Sequence, residues 1–136
     1  MRIRVPDAFF DTNVLLYLLS GDASKANRAA GLLEGGGTIS VQVLNEFAAV
    51  ATRKLRMKIA EIRDFLATVR LLCEVVPIDV ETHDYALEIA EHYRLSFYDS
   101  LIVAAAIGAK CTILWTEDLQ DGQKFQRLMI RNPFAG

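Results

Sequence analysis

The chain has 136 residues, of which 52% are hydrophobic and 24% charged, and this composition excludes a disordered protein and fits one globular domain over residues 1–136. Fifteen Lys and Arg against seventeen Asp and Glu leave a formal charge of −2, so the excess of positive charge that marks many nucleic-acid-binding proteins is absent from the total. The two cysteines, Cys73 and Cys111, form no CxxC pair, which argues against a zinc ribbon or a thioredoxin-like site and favours buried, reduced thiols.

Strands and helices are predicted to alternate along the first half of the chain. Short apolar runs indicate the strands, and apolar residues at helical spacing indicate the helices, with glycines marking several ends. In chain order, we predict a strand over Ala8–Phe10, helices over 13–20 and Ala23–Glu34, a strand over 38–40, and amphipathic helices over 43–51 and 59–69.

The second half continues the alternation. We predict a strand over 75–78, helices over 82–93 and 96–109, a strand over 112–115, a polar loop over 116–122 and a last strand over 128–130. Such βαβ units predict a three-layer α/β/α sandwich around a mostly parallel sheet of four to five strands. In open sheets of this kind the functional site lies beyond the carboxyl ends of the strands.

No segment predicts a membrane span or a secretion signal. The N-terminal residues Met1 to Arg4 are followed by Pro6 and not by an apolar core. The most apolar stretches, residues 14–19 and 101–109, are shorter than the roughly 20 residues that span a bilayer. We therefore expect a cytoplasmic protein with no membrane partner.

Four acids lie where the predicted sheet would bring them together. Asp11 follows the first strand, Glu46 lies early in the helix after the second, Asp99 lies in the first turn of the helix before the fourth, and Asp118 follows that strand. Each also has an ordinary explanation. Asp11 fits a helix N-cap, Asp99 fits a capping box with Ser96, and the other two fit a solvated helix residue and a turn.

Carboxylates gathered at one end of a sheet repel one another, and a divalent cation removes that conflict. Mg²⁺ and Mn²⁺ both take oxygen ligands. The two histidines, His83 and His92, fall together on another predicted helix, and we expect them at the surface and not at a metal.

The sequence around these acids resembles a known family. The four blocks are FDTNVL from Phe10, SVQVLNE from Ser40, YDSLIVAAA from Tyr98 and WTEDLQDG from Trp115. Together they look like the PIN domain, and most closely its bacterial toxin branch, the VapC-like ribonucleases, over residues 8–132.

This resemblance implies a metal-dependent ribonuclease. It implies that Asp11, Glu46, Asp99 and Asp118 are catalytic, and that Asp11, Asp99 and Asp118 bind Mg²⁺ or Mn²⁺. It implies supporting polar roles for Thr12, Asn13, Ser40, Thr116 and, with a more distant contact, Asp121. It also implies an RNA substrate, a homodimer and inhibition by a cognate antitoxin.

RNA also needs cations to hold its phosphates. The densest basic cluster is Arg53, Lys54, Arg56 and Lys58, which could make salt-dependent phosphate contacts or could simply be a solvated helix end with favourable C-terminal charges.

Two other functions are open at this stage. One is a non-catalytic PIN-like module that binds RNA or protein. The other is a Mg²⁺-dependent phosphoacceptor receiver domain, which would need a lysine after a late strand, whereas Lys110 precedes its strand.

Overall fold

The computed structural model describes residues 7–135. Residues 1–6, on which the prediction about a signal peptide rests, lie outside the described residues. The strands are β1 (Ala8–Phe10), β2 (Gly37–Ser40), β3 (Cys73–Val76), β4 (Ile113–Trp115), β5 (Lys124–Phe125) and β6 (Leu128–Arg131). The helices are α1 (Thr12–Tyr17), α2 (Ala23–Glu34), α3 (Val41–Arg53), α4 (Ile59–Leu72), α5 (Val80–Tyr93) and α6 (Phe97–Gly108).

Within residues 7–135 the strands form one sheet of six, in the order β3-β2-β1-β4-β6-β5. Every neighbouring pair is parallel except β5 with β6, which is antiparallel. The predicted fold class is confirmed, but the expected four to five strands are corrected to six. The additional strand is β5, whose two residues are too short to produce a recognisable pattern.

The helices form two groups on the two faces of the sheet. The chain moves outward from β1 to β2 to β3 and then crosses back to β4, and right-handed crossovers place helices on opposite faces when the direction reverses. The contacts agree, because α1 packs against α2 and α3, α3 packs against α4, and α5 packs mainly against α6. Helix α6 is buried without interruption over residues 101–106, so it forms the centre of its layer.

The sheet is tightly packed between β1 and β2. A Cβ atom at Gly37 would lie 2.5 Å from Cε2 of Phe10 and 2.8 Å from the carbonyl oxygen of Ala8. Both distances are shorter than a carbon atom tolerates, so β2 begins at a residue without a side chain.

The strand β3 starts at Cys73, earlier than the predicted residue 75, because α4 runs into it without an intervening turn. Cys73 and Cys111 are both buried free thiols, as predicted, and burial raises the pKa of each to about 11. His83 and His92 lie at the surface, also as predicted. Across the described part of the chain, every helix is too short or too polar to cross a bilayer.

Candidate active site

Asp11 is fixed at the point where β1 ends. Its backbone N–H donates to the carbonyl oxygen of Trp115 at the end of β4, over 3.0 Å. Its side chain is the N-cap of α1, and Oδ1 accepts a hydrogen bond from the backbone N–H of Thr12 over 2.7 Å. The second oxygen, Oδ2, accepts from the hydroxyl of Thr116 over 2.7 Å. Asp11 is only 5% exposed, so both oxygens of a buried carboxyl are held in place.

Thr116 connects Asp11 to Asp118. Its buried hydroxyl donates to Asp11 and accepts from the backbone N–H of Asp118 over 3.0 Å. The side-chain amide of Asn13 donates to Oδ2 of Asp118 over 3.1 Å and also contacts the Thr116 hydroxyl over 3.5 Å. The loop after β4 and the first turn of α1 are therefore joined by one hydrogen-bond network.

Glu46 is positioned by α3 and by a contact with α1. The helix begins after Ser40, which is fully buried and whose Oγ accepts from the backbone N–H of Val43 over 3.3 Å. Oε1 of Glu46 accepts from the hydroxyl of Thr12 over 3.0 Å. Ser40 thus supports the site through the helix it caps, and Thr12 contacts the acid directly.

Asp99 lies in the first turn of α6, and its backbone N–H donates to the N-cap hydroxyl of Ser96 over 3.1 Å. This is the Ser96 half of the predicted capping box. Within residues 7–135 no hydrogen bond holds the Asp99 carboxylate, which leaves both of its oxygens available.

The charges of the four acids act on one another. Burial raises the pKa of Asp11 to about 7, opposed by hydrogen bonds from Thr116 and Thr12 and increased further by the charges of Asp118 and Glu46. Burial raises the pKa of Glu46, and the charges of Asp99 and Asp118 raise it further. The pKa of Asp118 is raised by burial and then by the charge of Asp99. Four separate segments therefore place their carboxyl groups in one electrostatic environment.

The donor set fits a hard divalent cation. Over residues 7–135, no three His, Cys, Asp or Glu side chains stand close enough to hold a metal ion as they are. Mg²⁺, however, keeps several waters and needs only one or two direct carboxylates, so acids at a wider spacing suit it. The side-chain oxygen of Asn13 is also buried without a hydrogen-bond partner among the described residues, and it provides a further acceptor beside Asp118.

Asp121 and the predicted basic cluster stand apart from this network. Oδ1 of Asp121 accepts from the backbone N–H of Asn132 over 2.8 Å, which fixes the turn before β5. The basic cluster, Arg53, Lys54, Arg56 and Lys58, is fully on the surface at and after the end of α3. Arg53 lies on the same helix face as Glu46 but about 10 Å further along the axis.

One neighbour of the site was missed in the sequence. The Tyr17 hydroxyl donates to the carboxylate of Glu117, the residue before Asp118, and burial followed by that bond raises the pKa of Tyr17 to about 12. The two residues are 100 positions apart, and no local pattern connects them.

The sequence profile of the PIN domain matches residues 8–127. The chain belongs to the PIN-domain family. The resemblance to the PIN domain that the four acidic blocks indicated is confirmed.

Solved structures with the same fold cover nearly all of this PIN domain. A chain of a toxin–antitoxin complex from Klebsiella pneumoniae matches with a TM-score of 0.70 and 21% identity, over 93% of this chain and 98% of that one. VapBC2 from Rickettsia felis, bound to a promoter DNA fragment, matches with a TM-score of 0.65 and 21% identity, over 92% and 97%. VapC20 from Mycobacterium tuberculosis, described as a sarcin–ricin loop cleaving toxin, matches with a TM-score of 0.62 and 19% identity, over 82% and 89%.

No curated protein sequence is significantly similar to this PIN domain. At the identities found among the solved structures, the likeness establishes the fold.

Proposed function

We propose that this PIN domain is a metal-dependent endoribonuclease and the toxin of a toxin–antitoxin pair. The observation that carries the proposal is the electrostatic coupling of Asp11, Glu46, Asp99 and Asp118, which arrive from four separate segments. A scaffold protein would gain nothing from gathering mutually repelling acids, whereas a cation-dependent enzyme needs them.

The cation would be held by Asp11, Asp99 and Asp118, with Mg²⁺ or Mn²⁺ as the ion. When bound, such an ion stabilises charge on a phosphoryl oxygen and lowers the pKa of water. The hydrogen bonds to both oxygens of Asp11 orient that carboxyl in advance, and Asn13 does the same for Asp118. Little reorganisation is then required when the substrate arrives.

Glu46 is suited to a different role. It is only half buried, burial raises its pKa from the ordinary value, and its Oε1 is already held by Thr12. Glu46 lies outside the three carboxylates assigned to the cation, and a raised pKa makes a carboxylate a stronger base, as proton acceptance requires. We assign Glu46 to accept the proton of the attacking water.

The substrate and partners are proposed by analogy with the structures that share this fold. One of them is a toxin–antitoxin complex and another a toxin that cleaves the sarcin–ricin loop. By analogy we propose an RNA substrate, a cognate antitoxin that blocks the site, a homodimer and a cytoplasmic location. Attack by water does not need the ribose 2′-hydroxyl, so discrimination against DNA would have to come from binding and not from the chemistry.

The central test is cleavage of RNA by purified protein with Mg²⁺ or Mn²⁺, followed by sequencing of the RNA ends. Asp99→Asn should lower the rate by about 100-fold or more, because its free carboxylate is lost from the cation site. Asp84→Asn, an exposed acid on α5, is the matched control and should cleave normally. Excess chelator should stop cleavage by the wild type.

Three results would count against the proposal. Full activity of Asp99→Asn would remove Asp99 from the cation site, and activity that survives the chelator would remove the cation from the reaction. RNA binding without cleavage under every metal condition would favour the non-catalytic module instead.

The receiver-domain alternative finds no support in the geometry. Lys110 is exposed before β4 begins, at the end of the strand opposite to Thr116 and Asp118. It therefore cannot meet a phosphoryl group at the acids.

A further inference from the structure

Trp115, the last residue of β4, lies between two arginines. The guanidinium of Arg28, on α2, lies 5.5 Å from the centre of its ring, and that of Arg131, at the end of β6, lies 5.7 Å away. Trp115 and Arg131 are partners in the parallel register of β4 and β6. Residues paired in this way project from the same face of a sheet, which explains how the indole and the guanidinium meet.

A pair of aromatic rings holds a third cation nearby. Tyr17 and Phe134 pack edge to face with ring centres 4.5 Å apart. The ammonium group of Lys25 lies 5.0 Å from the Tyr17 ring and 5.6 Å from the Phe134 ring. Arg28 connects the two groups, because its Nε donates to the carbonyl oxygen of Pro133 over 2.9 Å. We call Lys25, Arg28 and Arg131 the cationic rim.

The cationic rim lies beside the acid cluster. Trp115 is in register with Phe10 on one side and with Arg131 on the other, and Asp11 and Thr116 directly follow Phe10 and Trp115. Adjacent strands are separated by about 4.8 Å, so the end of β6 lies two strands, or roughly 10 Å, from the end of β1.

The charges of the cationic rim are not neutralised by any carboxylate among residues 7–135. Among residues 7–135, no carboxylate lies within 4.0 Å of the charged nitrogens of Lys25, Arg28 or Arg131. The nearby Asp22 uses its carboxylate to cap α2, where it accepts from the backbone N–H groups of Ser24 and Lys25. The aromatic rings hold the cations in position, and apart from Nε of Arg28, which donates to Pro133, their hydrogen-bond donors are left available.

We propose that the cationic rim binds backbone phosphates of single-stranded RNA next to the bond that the acid cluster cuts. The inference rests on the proposed function and names the surface that holds its substrate. A polyanion approaching four acids is repelled, and cations one or two strands away along the same edge offset that repulsion. The basic cluster after α3, predicted from sequence, has no aromatic ring packed against its cations within residues 7–135, whereas each cation of the rim lies over at least one ring.

The rim is tested by the salt dependence of RNA binding, measured apart from cleavage. The ligand is a fluorescent single-stranded oligouridine of about 12 nucleotides, and every protein carries Asp99→Asn so that the RNA stays intact. Each phosphate contact that is lost flattens the slope of log K against log salt by about 0.7 for single strands. The double variant Lys25→Gln with Arg131→Gln should therefore flatten the slope by about 1.4.

Two controls separate this effect from a change in folding. Arg127→Gln removes an exposed cation at the opposite end of β6 and should leave the slope unchanged. Lys25→Arg keeps the charge beside the same rings. Combined with Arg131→Gln, it should give the same slope as Arg131→Gln alone. Arg28 is left intact because its bond to Pro133 ties α2 to the C-terminal segment.

The outcomes are distinct. A flatter slope for the double variant, with Arg127→Gln unchanged, supports the proposal. An unchanged slope or an absence of RNA binding overturns it. So does a double variant that changes the binding of an acidic oligoglutamate peptide but not of RNA, and this result would assign the rim to a protein partner. If the wild type cleaves RNA but the slope does not respond, only the rim is wrong, and if the slope responds but no metal supports cleavage, only the nuclease function is wrong.

Discussion

Replacing Asp11 with Asn should make the metal-free protein more stable at alkaline pH. The Asp11 side chain is 5% exposed, and burial raises its pKa from 3.8 to about 7. The folded chain therefore holds a proton on Asp11 at pH values where the unfolded chain has released it. Because the folded state binds more protons in that window, its stability falls as the pH rises from about 4 to about 7.

The size of the effect follows from the two pKa values. A tenfold change in a proton equilibrium corresponds to about 1.4 kcal/mol, so the interval from 3.8 to about 7 corresponds to about 4 kcal/mol of lost stability above pH 7. Asparagine carries no charge and avoids this loss. Its amide can accept only one of the two hydrogen bonds that Asp11 now accepts, from Thr12 and Thr116, which costs about 1 kcal/mol. The net gain near pH 8 is then about 3 kcal/mol.

Urea unfolding in the presence of a chelator measures this difference directly. Asp11→Asn should be about 3 kcal/mol more stable than the wild type near pH 8 and about 1 kcal/mol less stable near pH 3, where Asp11 is mostly protonated in both states. Adding Mg²⁺ near pH 8 should stabilise the wild type and not the variant. Equal or lower stability of the variant at pH 8 would show that Asp11 is not an electrostatically costly buried acid. Asp84→Asn provides the control for loss of an exposed carboxylate.

Two further changes test the packing and the network around the site. Gly37→Ala should destabilise the fold by about 1–3 kcal/mol in urea unfolding because its Cβ would overlap Phe10. Gly31→Ala, in a helix with open space around it, is the control and should stabilise the fold by about 0.5–1 kcal/mol. A similar effect of both changes would contradict the close approach of β2 to β1. Thr116→Val should lower the free energy of unfolding by about 1–3 kcal/mol. It should also raise the pKa of Asp11 further, as followed by carboxyl NMR, because it removes the hydrogen bond that lowers that pKa. An unchanged titration of Asp11 would show that the bond does not form in solution.

The order of elements could be predicted from the sequence because each helix carries its own apolar spacing and most ends carry a glycine or a cap. What could not be predicted depends on boundaries without a local signal. Leu72 ends α4 and Cys73 begins β3 with no turn residue between them, so the periodicity gave no sign of the change. The strand β5 has only two residues, and its pairing with β6 is visible only in three dimensions.

Some features of the candidate site could likewise be predicted from the sequence, and others could not. Asp11 and Asp118 could be selected because each follows a predicted strand, and strand ends meet at one edge of a parallel sheet. The raised pKa of Asp11 could not be foreseen, since it depends mainly on burial by distant segments. The contacts of Trp115 with Arg28 and of Tyr17 with Glu117 join residues about 90 and 100 positions apart, and single residues at such separations leave no pattern.

The formal charge of −2 conceals how the charges are arranged. At the carboxyl edge of the sheet, the end of β4 separates two regions of opposite sign: Thr116 holds the acid Asp11, and the preceding residue, Trp115, is flanked by cations. Both regions depend on the same strand register, so a displacement of β4 would disturb the acid network and the cationic rim together. In the proposed nuclease, a divalent ion would offset repulsion only at the bond being cut, and the cationic rim would supply the separate positive charges that the flanking phosphates need.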